Sequence, residues 1–183
     1  LSKLSRYFGA GKYIRYDIIK FSENLAKKEG LICKKIFYYT SPPFQSNNPS
    51  REEKLRKDKY DSFIKKIKES SNIKVCEGRC QKIVDKNGKI KYSQKAVDSL
   101  MIIDLMSIPI KYPTIKKIIM IACDSDFVPV INYLRELRIE VILFTYFTKK
   151  RGTNFSRSTY LMNVVNKYIR ISKEDFENSH LEK

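Results

Sequence analysis

The stretch IIMIACDSDFVPVINYLREL, Ile118 to Leu137, decides the fold. Ile118 to Ala122 are all apolar and read as a buried strand. Asp124 and Asp126 follow, with Ser125 between them. Pro129 lacks the N–H that only the first turn of a helix can spare, so a helix should begin near Ser125 or Asp126. Phe127, Val130, Ile131, Leu134 and Leu137 then recur at helical spacing as one apolar stripe. The stretch is therefore strand, turn and helix, with two carboxylates at the junction. Ligands of open α/β sheets bind beyond the carboxyl ends of the strands, so the junction is the first place to look for chemistry. Asp126 alone reads as a helix cap or dipole partner. Asp124, ending a buried strand, is costly without a partner. A hard divalent cation is a natural partner for clustered carboxylates.

The same alternation extends outward. YDIIKFSENLAKKEG, from Tyr16, reads as a helix with Gly30 as its stop. LICKKIFYYT, from Leu31, is a strand, and SPPFQSNNPS, from Ser41, is a loop. Ser50 can cap a long charged helix, with Glu53 completing a capping box. NIKVCEGRC, from Asn72, is a second strand, and KIVDKNGKIKY, from Lys82, is a hairpin turning at Asn87-Gly88. SQKAVDSLMIIDLMSI, from Ser93, reads as a helix stopped before Pro109. TIKKIIMIAC, from Thr114, is a third strand and IEVILFTYF, from Ile139, a fourth. TYLMNVVNKYIRI, from Thr159, is a short helix running into a last strand. Strands alternating with helices predict an α/β fold with a mainly parallel central sheet, plus a small β-hairpin insertion.

The 183 residues carry 37 Lys and Arg against 20 Asp and Glu, a net charge of +17. A surplus of that size points to a polyanionic partner, with nucleic acid as the first candidate. No apolar run approaches the roughly 20 residues of a membrane span, so no membrane partner is expected. The four cysteines do not read as a disulfide framework, Cys33 and Cys123 in apolar strand-like runs read as buried thiols, and a cytoplasmic location is expected. Cys76 and Cys80 lack two further ligands for zinc, and the sole histidine, His180, lies in the tail, out of use for a Ser-His-Asp triad. Self-association into a homo-oligomer is compatible with the sequence.

Asp98 and Asp104 share the helix before the third strand. Six residues at ~100° each set them about 120° apart around the axis, so they cannot both face one ion squarely. Asp98 is the better candidate, and Asp104 is either a supporting partner or a structural ion pair. Lys95 reads as a surface ion pair or as a phosphate contact. The loop FTKKRGTNFSR joins Lys149, Lys150, Arg151 and Arg157 to Phe147 and Phe155. Phosphate contacts beside stacking rings suit single-stranded RNA, while core-facing rings in a basic loop are the plainer alternative.

Lys95-Ala-Val-Asp98, then Cys123-Asp-Ser-Asp-Phe127, then Ser158 through Ile171 resemble the NYN domains of the PIN-like nuclease superfamily, in particular the LabA-like branch. The resemblance implies a Rossmann-like three-layer sandwich over residues 1–172, leaving 173–183 as a C-terminal tail. It implies a ribonuclease that uses Mg²⁺ or Mn²⁺, with Asp98, Asp124 and Asp126 as acidic site residues. Lys95, Asp104 and Ser125 would support or orient, and RNA would be the partner. It also implies a first strand ending in Asp, which would precede Leu1 and lie between the strands near Phe37 and Met120. The chain departs from the family pattern at Cys123 and Arg138, where glycine is usual, and at Asn166, where an acid is common. Two other classes compete with a nuclease: a non-catalytic RNA-binding or scaffold protein, and a glycosyltransferase that uses a D-x-D metal site.

Overall fold

The computed structural model describes residues 1–147, 155 and 158–181. The chain divides into two compact units, one formed by Leu1–Ile32 with Asp104–Lys183 and the other by Cys33–Ile103. The first unit opens with α1 (Ser2–Phe8) and α2 (Ile18–Lys28). The second holds β1 (Ile36–Thr40), α3 (Arg51–Lys68), β2 (Ile73–Glu77), β3 (Arg79–Val84) and β4 (Ile90–Lys95). Helix α4 (Val97–Lys111) spans the division between the two stretches of chain. The first unit then continues through β5 (Lys117–Ile121), a 3-10 turn (Ser125–Phe127), α5 (Val128–Glu136) and β6 (Glu140–Thr145). It ends with α6 (Thr159–Val164), β7 (Lys167–Arg170) and α7 (Lys173–Glu177).

The first unit is built on the parallel sheet β5-β6-β7. Strand β6 is buried from Val141 to Thr145, as a strand covered on both faces should be. Successive side chains point to opposite faces. Ile142 and Phe144 join one apolar cluster with Leu4 of α1, Phe21 and Leu25 of α2, and Phe176 of α7. Phe176 meets both Phe21 and Tyr16 with ring centroids 4.9 Å apart. Each such ring contributes roughly 1.5–3 kcal/mol by leaving water. Val141 and Leu143 take the other face, where α5 packs on β6 with Val130, Ile131 and Leu134 buried. Leu137, read as the end of that stripe, is instead 43% exposed, because α5 stops at Glu136.

Local chemistry sets the ends of α2. The Asp17 carboxylate accepts from Ile19 N–H at 2.8 Å and Lys20 N–H at 3.0 Å. Gly30 at φ 67 closes the other end, with Gly30 N–H on Lys27 O and Leu31 N–H on Ala26 O.

In the second unit β1 and β2 pair in parallel, placing Ile36 opposite Ile73. Helix α3 supplies buried Ile64 and Ile67 and packs on β2, while its other faces stay in water. Its capping box forms as expected: Glu53 N–H donates to Ser50 Oγ at 3.2 Å, and Ser50 N–H donates to Glu53 Oε2 at 2.9 Å. The expected hairpin is the antiparallel pair β3-β4, longer than anticipated at both ends. The second expected strand breaks at Gly78, where a Cβ would come within 2.4 Å of Lys95 O.

The α/β class with parallel strands holds, but the parallel strands form two sheets, β1-β2 and β5-β6-β7, where one central sheet is expected. Two further departures concern α4. Ser93 to Lys95 belong to β4, not to a helix, because β3 pairs with them. Pro109 sits inside α4, which runs on to Lys111. Cys123, expected buried, is exposed, and Cys33 is half-buried in irregular chain before β1.

Candidate active site

Strand β5 ends at Ile121, two residues before Cys123. By Asp124 the chain has left the sheet, and Cys123, Asp124, Ser125 and Asp126 are all exposed. Asp124 adopts φ −95, ψ 132 as N-cap of the 3-10 turn, and its Oδ1 accepts from Asp126 N–H at 3.1 Å. Phe127, 3% exposed, pins the turn to the core, and Pro129 sits in the first turn of α5. The sequence assigns the capping role to Asp126 and a buried, costly position to Asp124. In the structure Asp124 is the cap, and it is solvated. The turn thus holds two carboxylates in water on a fixed frame at the carboxyl end of β5.

Asp98 lies exposed in the first turn of α4, and Lys95 is the exposed last residue of β4. Lys95 is therefore not one helical turn before Asp98. The positive φ of Ala96, 66, turns the chain between them. Close approach of Gly78 to the Lys95 carbonyl and to Val97 fixes that corner within its unit. Asp104 is half-buried further along α4. Asp124, Ser125 and Asp126 come together in one turn; Lys95 and Asp98 come together at the start of α4. Within each unit, among the described residues, no three His, Cys, Asp or Glu side chains gather to hold a metal.

Lys149, Lys150, Arg151 and Arg157 lie outside the described residues. The two rings of their loop are described. Phe155 packs edge-on against Tyr7 at 5.0 Å and Tyr146 at 5.3 Å, so it is partly a core contact. Phe147 lies under the Arg170 guanidinium at 5.7 Å, and Tyr146 under the same group at 4.9 Å. A hydrogen bond to Tyr146 holds the Tyr7 hydroxyl protonated above its usual range. Arg170 ends β7 and Tyr146 follows the end of β6, so this exposed cation over rings sits at the same end of the sheet as the Asp124 turn. Sequence reading missed Arg170. The available signal was its place as the last residue of the final strand. Asn166, where an acid is common, instead ties down the start of β6. Its Oδ1 accepts from Val141 N–H at 2.9 Å and its N–H donates to Val141 O at 3.0 Å.

Among the described residues no helix is long and apolar enough to cross a membrane. A search of curated proteins finds no match. A crystal structure of a protein of unknown function from Vibrio parahaemolyticus is similar, with 17% identity and TM-score 0.42, over 75% of this chain and 69% of that one. The model of the NYN domain matches residues 5–172. NYN domains fall within the PIN-like nuclease superfamily, whose members generally use divalent metal ions. With nearly the whole chain inside that match, the protein belongs to the NYN domain family.

Proposed function

We propose that this protein is a metal-dependent ribonuclease of the LabA-like branch, cleaving phosphodiester bonds of single-stranded RNA. The observation that carries the reading is the Asp124–Asp126 turn, two solvated carboxylates fixed at the carboxyl end of a core strand in a NYN domain. The donor set suits the family's metal. Hard carboxylate oxygens match Mg²⁺ or Mn²⁺, and Mg²⁺ is commonly held through one or two carboxylates and completed by substrate phosphate. Asp124 and Asp126 would hold the ion, with Asp98 as a third acid. When bound, it supplies an activated water and neutralises charge on the departing oxygen. Asp124 uses one oxygen to orient the turn and keeps the other for a ligand. Ser125 and Asp104 support the acids, and Lys95 orients a phosphate. Arg170 on its rings, with Lys149, Lys150, Arg151 and Arg157, holds the RNA that the acids alone would repel. The cysteines are all thiols, which fits the reducing cytoplasm.

A second reading, a non-catalytic RNA-binding or scaffold protein, is favoured by one observation: among the described residues neither unit by itself gathers three acids. Cleavage of labelled single-stranded RNA with Mn²⁺, Mg²⁺ or EDTA separates the two. The nuclease cuts with either ion and not with EDTA, and Asp124→Asn loses on the order of 10²-fold or more in rate. Equal cleavage by wild type and Asp124→Asn removes the assignment. Binding without cleavage under every condition leaves the second reading.

A further inference from the structure

The hairpin β3-β4 carries an oddity that the Asp124 turn does not explain. Residues 79–95 hold six basic side chains and one acid, Asp85. Asp85 is committed to the turn, where its Oδ1 accepts from Asn87 N–H and Lys89 N–H, each at 2.9 Å. Nothing offsets the cations within the ribbon itself.

Its two faces follow from the register. One face sets Lys82 opposite Tyr92 and Val84 opposite Ile90; the other sets Arg79 opposite Lys95 and Ile83 opposite Lys91. Neither face is buried. Val84 is 59% exposed, Tyr92 50% and Ile90 48%. An isolated two-stranded hairpin is marginal in water, and directly opposed like charges such as Arg79 and Lys95 destabilise it further. Neither Arg79 nor Lys95 forms a salt bridge among the described residues. Tyr92 is steadied by the Phe44 ring at 5.8 Å, in the loop before α3. The ribbon thus presents paired cations on one face and, on the other, Lys82 beside an exposed, supported aromatic ring.

We propose that this ribbon is an RNA-holding arm that a single strand wraps, with phosphates on Arg79 and Lys91 of one face and on Lys82 of the other, and an unpaired base stacked on Tyr92 opposite Lys82. Opposed cations are relieved by an anion between them, and a planar ring on the ribbon's other face, across from Lys82, selects a polyanion with stackable bases. A single strand fits. The deep, narrow major groove of duplex RNA does not admit side chains from a ribbon. Only the choice of RNA over DNA rests on the nuclease reading.

Anisotropy of a labelled single-stranded RNA, measured in EDTA across salt concentrations, tests the arm without cleavage. Replacing Arg79, Lys82 and Lys91 together by Ala should lower the slope of log affinity on log salt by about 2, at ~0.7 per phosphate contact. Tyr92→Ser should weaken binding about 10-fold with the slope unchanged, and Tyr92→Phe should bind as wild type. Wild-type affinity and slope in the triple variant overturn the arm, whether or not the protein cuts RNA. Loss with the triple variant but none with Tyr92→Ser also overturns it, leaving a surface for any polyanion, acidic proteins included. Both losses in a protein that never cleaves uphold the arm while the nuclease reading fails.

Discussion

Asp124 does two things with one carboxylate: it caps the 3-10 turn and it carries charge into solvent. Asn caps as well as Asp, so Asp124→Asn removes charge and keeps the turn, whereas Asp124→Ala also costs about 1 kcal/mol of stability. A drop in activity with Asn at unchanged melting temperature therefore reports on chemistry and not on folding. Arg138 shows the opposite situation, strain without an evident ligand. It sits at φ 59 just beyond α5, where Ile139 N–H reaches Leu134 O and Arg138 N–H reaches Arg135 O. A Cβ in that conformation costs roughly 1–2 kcal/mol. Glycine relieves it but adds roughly 0.4–1 kcal/mol of unfolded-state freedom. Arg138→Gly should raise the melting temperature by about 2 °C; a fall would mean that the arginine side chain makes a compensating contact. At this scale the sequence was readable where the cause is local. Asp124 and Asp126 lie within one turn and were found together. Their division of labour depends on where β5 stops, at Ile121, and was read the wrong way round.

Among the elements, the start of α3 is legible because its signals, Ser50 and Glu53, lie within four residues of it. Glu53 also gives it a pH dependence. The backbone hydrogen bond from Ser50, and then that from the Ser46 hydroxyl, pull the Glu53 carboxyl below its ordinary 4.5. A depressed carboxyl contributes stability that is present above the ordinary value and lost as pH falls through the lowered one. The melting-temperature gap between wild type and Glu53→Gln should therefore be open at pH 7 and close below 4.5. A gap that stays constant down to pH 3 would show that the carboxylate charge has no part in the cap. The start of α4 was misread for the converse reason. Ser93, Gln94 and Lys95 are paired to Gln81, Cys80 and Arg79 from across the hairpin, and no helical signal inside the segment competes with that ladder. Lys95 thereby stands in the ribbon, opposite Arg79.

For the whole molecule, strand identity was legible and sheet membership was not. Strands β1, β5 and β6 announce themselves by apolar runs, but Ile36 finds Ile73 across a loop and a helix, and nothing near either residue names the partner. The net charge of +17 is legible at once, yet its location matters more than its size. Asp124 and Asp126 would repel a polyanion, so in the proposed nuclease RNA would be held by cations elsewhere on the chain. The hairpin offers one group. The loop with Lys149, Lys150 and Arg151 carries no acid and follows β6, close in sequence to the Tyr146 and Phe147 rings under Arg170. Replacing these three residues by Ala should weaken single-stranded RNA binding and lower its salt slope by about 2, with the melting curve unchanged. The hairpin triple should lower it by a similar amount. If both groups touch the same bound strand, the combined variant should lose the sum of the two slopes, since each phosphate contact releases its own counterion. A loop variant that binds as wild type would leave Arg170 and the ribbon to hold the RNA. A combined variant no worse than either alone would mean that the two groups serve alternative binding modes and never one strand at once.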